Sequence, residues 1–388
     1  MEIRELREDE RESAFYLGSQ AFMGGSRDMS RINHPDRFAR STFGVWDEAG
    51  LQAMVGVIKY RVHVGAGSIV PMGGVAAVAC LPASRGKGYA GVCLKYSLEQ
   101  MREAGQVVST LFPFSFDYYD RLGWAWVGVT RSYEVPTRIL RPSPETEAVR
   151  AATEGDRPAI AAAYTQFASR YRGAIVRDEK MWNQVLNNTD EQYRYTYVYE
   201  PETGVEGYLT YVGGKREETK LREFIALTPR AQRALLGLLR RHEMQIDKFT
   251  WEAPSDDLLW STLYHWDLNT KLEPTAMSRI VDVPAALRSW QPHVDAGGSV
   301  TLAVTDEAAP WNAGTWRVEF SRGEVRITPT DSPPQVSMDI RALSQAYFGT
   351  PALPEIRAAE RMTVHDEAGF HALRDLLDGP PMWLNDHF

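Results

Sequence analysis

The run Val75-Ala76-Ala77-Val78-Ala79-Cys80-Leu81-Pro82-Ala83-Ser84-Arg85-Gly86-Lys87-Gly88-Tyr89-Ala90 constrains this chain more than any other part of it. The apolar stretch ending at Leu81 reads as a strand. Ala90, Leu94, Leu98 and Met101, at spacings of four, four and three, read as the buried stripe of a helix that stops before Gly105. The glycine loop between them leaves several backbone N–H groups free at a helix N-terminus, where they and the helix dipole can hold a pyrophosphate. Gly86 and Gly88 let backbone approach phosphate without a Cβ in the way, and Arg85 and Lys87 add positive charge. No Gly-Lys-Ser/Thr ending follows, which excludes a Walker loop, and the third glycine of a dinucleotide fingerprint is missing. Taken alone, the loop is equally well explained as a plain strand-to-helix turn.

The flanking sequence gives an α+β pattern. Met1 to Arg4 alternates as a short strand, Asp9 to Phe22 is helical, and a loop rich in Gly, Arg and Asn occupies Gly24 to Pro35. Ser41 to Asp47 and Gln52 to His63 are strands joined at Gly50, and Ile69 to Leu81 is a third, interrupted by Gly73 and Gly74. Gln106 to Phe112 is a strand, Phe116 to Leu122 a short helix and Trp124 to Val135 another strand. Pro136 to Pro144 holds three prolines and reads as a linker. At 388 residues the chain is long enough for two or three domains, and three are expected: 1–140, 145–275 and 276–388. The second has helices at Asp156 to Tyr171 and Pro229 to His242 around strands in Thr196 to Val212, with Trp182, Trp251, Trp260 and Trp266 among its apolar residues. The third alternates at Ser299 to Thr305, Thr315 to Phe320 and Glu324 to Thr328 and ends in helices from Arg341 and Glu367. The first two domains share an order of helix, strands and helix, a weak internal symmetry.

A second motif changes the weight of the glycine loop. Phe116-Asp117-Tyr118-Tyr119-Asp120-Arg121-Leu122-Gly123-Trp124 is an aromatic helical turn stopped by a glycine. Arg85, Gly88 and Ala90 in the pattern Arg-x-x-Gly-x-Ala, followed by Tyr119-x-x-Leu122-Gly123-Trp124, resemble the GNAT N-acetyltransferase superfamily. That resemblance implies acetyl-CoA as co-substrate. Its pantetheine arm would lie on the strand bulge at Val78, Ala79 and Cys80, and its pyrophosphate on Arg85, Gly86, Lys87, Gly88, Tyr89, Ala90 and Gly91. Phe114 and Ser115 would flank the thioester. Tyr119 would be the acid that protonates the departing thiolate, since a phenol and an alkyl thiol both titrate within about two units of 9. A core aromatic beside Tyr118 is the plainer account of Tyr119. Cys80 could be a nucleophile, but a cysteine in a strand without a nearby His is more often a small core residue, and Cys93 reads as core too.

Further along, Met277-Ser278-Arg279-Ile280-Val281-Asp282-Val283-Pro284-Ala285-Ala286-Leu287, Leu343-Ser344-Gln345-Ala346-Tyr347-Phe348-Gly349 and Pro381-Met382-Trp383-Leu384-Asn385-Asp386-His387-Phe388 resemble the enhanced intracellular survival (Eis) family. That implies tandem GNAT-like domains followed by a sterol-carrier-protein-like α+β domain. It also implies a homo-hexamer, small amine acceptors such as aminoglycosides or polyamines, and a terminal carboxylate, here that of Phe388, acting as base. Trp383, Leu384 and Phe388 behind two prolines form a stiff apolar end that would be out of place in water. A carboxylate of reference pKa near 3.5 is a weak base for an ammonium, so it would act through a water or on the neutral fraction of the amine. In the second domain, Leu227-Thr228-Pro229-Arg230 precedes the equivalent helix without a glycine, so that domain is expected not to bind CoA. Asp28 and Asp36 are unassigned acceptor-binding candidates, and His387, beside the base, is the one histidine of interest.

Composition narrows the alternatives. A hydrophobic share of 44% with 24% charged residues is that of a globular chain, and a net charge of -8 argues against a nucleic-acid partner while tolerating a cationic small molecule. Two cysteines and histidines without ligand spacing give no metal site and no disulfide framework. The charged opening residues and the lack of a long apolar run predict a cytoplasmic protein with no membrane partner. Two other functions stay open: a non-catalytic acyl-CoA or lipid-binding protein, and a protein-lysine acetyltransferase.

Overall fold

A computed structural model describes residues 1–22, 40–65, 67–189 and 192–388. Asp28, Asp36 and the loop of Gly24 to Pro35 lie outside the described residues. In chain order the first segment contains β1 (Glu2–Glu5), α1 (Arg11–Phe22), β2 (Arg40–Asp47), β3 (Gly50–Val64), β4 (Ile69–Cys80), α2 (Tyr89–Glu103), β5 (Val108–Leu111), α3 (Phe116–Asp120) and β6 (Ala125–Trp126). The middle segment follows with β7 (Val129–Pro136), β8 (Val149–Ala151), α4 (Arg157–Ala168), β9 (Arg172–Ile175), α5 (Glu179–Leu186), β10 (Arg194–Tyr199), β11 (Gly207–Val212), β12 (Thr219–Ala226), α6 (Pro229–Arg240), β13 (Lys248–Pro254), α7 (Leu259–Thr262) and β14 (Asn269–Pro274). The last holds β15 (Met277–Ile280), α8 (Val283–Arg288), β16 (Gly297–Thr305), β17 (Gly314–Ser321), β18 (Glu324–Pro329), β19 (Val336–Asp339), α9 (Ile340–Phe348), α10 (Leu353–Ala358), β20 (Met362–Val364) and α11 (Glu367–Leu377).

Two compact units result: Met1–Val127 with Ala276–Gly379 and His387–Phe388, and Gly128–Thr275 with Pro380–Asp386. In the first unit one sheet runs β1-β2-β3-β4-β5-β15-β6. β4 and β5 pair in parallel and the other pairs are antiparallel. α2 puts Cys93, Leu94, Leu98 and Met101 into a core with Val55, Val57, Val75 and Leu111; of the stripe read from sequence, Leu94, Leu98 and Met101 are buried there, whereas Ala90 is only half-buried and Cys93 joins the core in its place. A second sheet in this unit runs β18-β17-β16-β19-β20. Asp339 opens α9 by accepting from the Ala342 N–H at 2.8 Å, and Gly349, at φ +76°, closes it.

The second unit's sheet runs β14-β7-β13-β12-β11-β10-β8, with β12 and β13 parallel. Its helix α6 buries Ala231, Ala234, Leu235 and Leu239 against Phe249 and Trp251. Trp182 and Trp251 are buried, whereas Trp260 is 37% and Trp266 fully exposed.

Three segments depart from the sequence reading. The strand expected over Trp124 to Val135 is two strands, β6 and β7, in different sheets, because the chain leaves the first unit at Val127. Alternation records only that residues face two sides, not which sheet they join. The proline-rich stretch after Val135 is a packed part of the second unit, with Thr137, Ile139 and Leu140 buried. Met277–Ile280 forms a strand of the first sheet, hydrogen-bonded between β5 and β6.

Candidate active site

The first sheet opens at its centre. β4 and β5 are paired from Met72↔Val108 to Val75↔Leu111, and no further. Beyond Val75, β4 continues to Cys80, while the chain after β5 turns through Phe112, Pro113 and Phe114 into α3. Two strands that part at their C-terminal ends leave backbone groups on both sides of the gap without a ladder partner. A register break falls in the same place: Ala76 faces Gly56 and Ala79 faces Met54, so Ala77 and Val78 together stand opposite Val55. That is a β-bulge, and Ala77 adopts φ +52°, a left-handed conformation rare for a residue with a Cβ. The bulge expected at Val78, Ala79 and Cys80 thus has its irregular residues at Ala77 and Val78.

A cavity of about 660 Å³ occupies the gap, lined by Val75 to Val78, Phe112, Phe114, Tyr119 and Phe388, with Glu5, Glu8, Phe15 and Phe22 on the α1 side. Its size lies in the range that suits small ligands, roughly 300–1,000 Å³.

At the end of β4 the chain passes through one 3-10 turn, Pro82–Ser84, into the glycine loop. Gly86 and Gly88 have φ of +78° and +83°, and an added Cβ at either would meet nothing within 4 Å. Glycine is needed there for the backbone conformation, and the space beside it is open. Gly88 caps α2 without a side-chain hydrogen bond, and the first turn has no acidic residue. The N-terminal N–H groups of α2 are therefore left for an anion, beside the exposed Arg85 and Lys87. Tyr89 turns away from the loop to donate to Asp47 at 2.8 Å. In the second unit the equivalent helix is closed: Thr228 accepts from the Ala231 N–H, and Pro229 has no N–H to give.

α3 presents Tyr119 to the cavity from a buried site, against Phe114 at 5.2 Å, Tyr118 at 5.3 Å and Trp124 at 6.4 Å between ring centroids. Burial, and then Tyr118, push the Tyr119 phenol above its ordinary value, so it is protonated throughout the neutral range. Leu122 and Trp124 donate their N–H groups to the Tyr119 carbonyl at 3.0 and 3.2 Å, closing the turn. Phe114 is 69% exposed at the mouth and Ser115 stands at the head of α3.

Phe388 enters the same cavity. Its ring lies 5.0 Å from Tyr60 and 5.2 Å from Phe112, while His387 is exposed, with its ring tilted against Phe112 at 4.4 Å. A Cβ on Gly74 would come within 2.8 Å of the Phe388 ring, so this glycine makes room for the aromatic. Neither cysteine has a thiolate to offer. Burial raises the Cys80 thiol, and it pushes Cys93 up to about 12, its Sγ donating to the Phe43 carbonyl at 3.3 Å.

Of the residues singled out from sequence, Tyr119 and Phe388 line one cavity and the glycine loop follows the end of the strand that borders it. Sequence reasoning missed Tyr60, Phe112, Gly74, Ala77 and the α1 lining. The Gly73-Gly74 pair in an apolar strand was the available signal, since glycine inside a strand marks a close approach.

Residues 2–127 match an acetyltransferase (GNAT) domain family, residues 173–280 match another GNAT acetyltransferase domain family, and residues 283–385 match a sterol carrier protein domain family. An uncharacterized N-acetyltransferase of Streptomyces avermitilis is 25% identical over 83% of this chain and 82% of its own. The crystal structure of a GCN5-related N-acetyltransferase from Anabaena variabilis superposes with a TM-score of 0.90 at 20% identity, over all of both chains. Eis1 from Mycobacterium abscessus does so with a TM-score of 0.81 at 22% identity, again over both whole chains. The chain is an N-acetyltransferase built from two tandem GNAT domains followed by a sterol-carrier-protein-like domain.

Proposed function

We propose that the chain transfers acetyl from acetyl-CoA directly to a primary amine in a ternary complex, as an Eis-type enzyme. The observation that carries this is the meeting, in one cavity, of the bulged end of β4, Tyr119 and Phe388, with the open-capped loop at the end of the same strand. The pyrophosphate would lie on Arg85 to Gly91 and the pantetheine arm along Val78, Ala79 and Cys80, with Phe114 and Ser115 beside the thioester. The amine nitrogen attacks the thioester carbonyl carbon, and backbone N–H groups of the bulge hold the oxyanion. The C–S bond breaks as the Tyr119 hydroxyl gives its proton to sulfur. The ammonium proton leaves to the Phe388 carboxylate, directly or through a water. Holding both reactants in place supplies much of the acceleration, and no covalent enzyme intermediate is needed.

In this reading residues 1–140 are the catalytic domain, 145–275 a degenerate copy without a CoA loop, and 276–388 a domain that ends in the active site. The acceptor is a small amine of aminoglycoside- or polyamine-like type. Glu5 and the terminal carboxylate would attract its ammonium, Glu8 being paired with Arg11 at 3.0 Å on the same wall, and Phe15, Phe22 and Phe112 would take its body. A homo-hexamer working in the cytoplasm, without metal, completes the proposal.

The test is CoA release, followed with a thiol reagent, over a panel of aminoglycosides, polyamines and lysine peptides, for wild type and for the Phe388 deletion. Release that depends on a particular amine and is lost in the deletion supports the reading. Acetyl-CoA binding without release for any amine rejects it in favour of an acyl-CoA-binding protein.

A further inference from the structure

The turn that carries Tyr119 is held from the C-terminal part of the same unit. Arg279, in β15, is completely buried, and its guanidinium spreads over three targets. One terminal nitrogen donates to the Leu122 carbonyl, the other pairs with the buried Asp306, and Nε donates to the Ile280 carbonyl at 3.1 Å. The guanidinium carbon lies 5.3 Å from the centre of the Trp124 ring. Asp306 is itself fixed by Asn312 Nδ2 at 2.9 Å and by the Ala309 N–H at 3.0 Å. Between Leu122 and Trp124 sits Gly123, at φ +84°; a Cβ there would fall 2.7 Å from Arg279 and 3.1 Å from Ile340. The glycine of the Leu-Gly-Trp motif therefore serves two ends: it adopts the left-handed turn, and it admits the arginine. Arg341 of α9 adds an ion pair to Asp120 of α3, next to Tyr119.

A buried arginine with one carboxylate is not needed for stability alone, since a well-packed apolar substitute is often as stable or more so. What a fixed, planar fork supplies is geometry. We propose that Arg279, fixed by Asp306 and assisted by Arg341, is a positioning residue for the Tyr119 hydroxyl, so that the C-terminal domain sets the aim of the acid. The proposal rests on the reading of Tyr119 as the acid.

A double-mutant cycle on the full-length enzyme tests it. kcat and the acetyl-CoA dissociation constant are measured for Arg279→Lys, Tyr119→Phe and the double variant, with melting temperature as the check on folding. Tyr119→Phe is expected to lower kcat about 100-fold. Arg279→Lys is expected to lower it about 10-fold with acetyl-CoA affinity unchanged, and to lower it less than twofold further once Tyr119 is gone. Equal losses from Arg279→Lys in both backgrounds, or no loss in either, overturn the proposal while leaving the acid in place. Wild-type turnover in Tyr119→Phe instead removes the acid reading and the positioning claim with it. Should Arg279→Lys fail to fold, Arg341→Ala replaces it, because both Arg341 and Asp120 are partly exposed. Its expected loss is two- to fivefold, again only where Tyr119 is present, and the same loss in both backgrounds overturns the proposal.

Discussion

Gly74→Ala perturbs the seat of the terminal residue, formed by Gly74 and Tyr60. Gly74 lies in β4, opposite Ile58 on one side and Thr110 on the other, with no positive φ, so alanine suits its backbone. In a strand interior alanine is favoured over glycine by about 0.5–1 kcal/mol. The added methyl, however, would stand 2.8 Å from the Phe388 ring and 2.9 Å from that of Tyr60, where carbon atoms rest about 3.7 Å apart. The rings must therefore withdraw by about 0.9 Å. Phe388 is half-buried and belongs to no helix or strand, so its ring yields more readily than β4 does. If its carboxylate is the base, a displacement near 1 Å is expected to lower kcat about 100-fold. Stability should change by less than about 1 kcal/mol, because the gain in the strand offsets part of the lost ring contact. Turnover by thiol release, acetyl-CoA binding by calorimetry and melting by scanning calorimetry separate these effects. A Gly74→Ala enzyme with wild-type kcat and an intact terminus would refute the claim that Phe388 must be seated on β4 for catalysis.

Gly88→Ala places a Cβ on a residue at φ +83° in open space, a strain of about 1–2 kcal/mol that the free loop can relax and bound CoA must restore. CoA should bind about tenfold more weakly by calorimetry, and unchanged affinity would contradict the phosphate-loop assignment. In the second unit, Glu223 is buried against Arg177 and also takes the Tyr208 hydroxyl at 2.6 Å and Asn385 at 3.2 Å. Glu223→Gln strands a buried cation whose remaining carboxylate is Asp386, and should cost about 3 kcal/mol in denaturant unfolding; a change below about 1 kcal/mol would show the pair is not needed. Glu206, hydrogen-bonded to Arg230, titrates near 2 instead of the usual carboxylate range. Its contribution is present above about pH 4.5 and lost as pH falls toward 2, so Glu206→Gln should flatten the acid limb of stability between those values, and an unaltered limb would remove Glu206 as its source.

The glycine loop and the Tyr-x-x-Leu-Gly motif were legible because their signals are local, while the roles expected of Tyr119 and Phe388 came from the resemblance to known families. A glycine loop between a strand and a helix, and a tyrosine three residues before Leu-Gly, depend on backbone conformation and on residues within one turn. The helical stripe of α2 was read for the same reason. What the sequence concealed is long-range. Nothing near Trp124 announces that its strand changes sheet at Val127, and nothing near Met277 announces that Met277–Ile280 joins β5, because alternation is the same whichever partner a strand finds. The bulge at Ala77 was expected within a residue or two, but its position is set by the register of β3, which no local pattern encodes.

By itself, then, the sequence indicated most of the elements and the glycine-loop start of α2, properties of neighbouring residues, while family resemblance singled out the acid candidate. Only the tertiary structure decided that Tyr60, Gly74 and Phe112 surround Phe388, and that Arg279 enters the turn of Tyr119 through the space of Gly123. Those contacts join residues more than a hundred positions apart, and they are chosen by packing density and by the need to satisfy a buried charge, which operate on the folded whole.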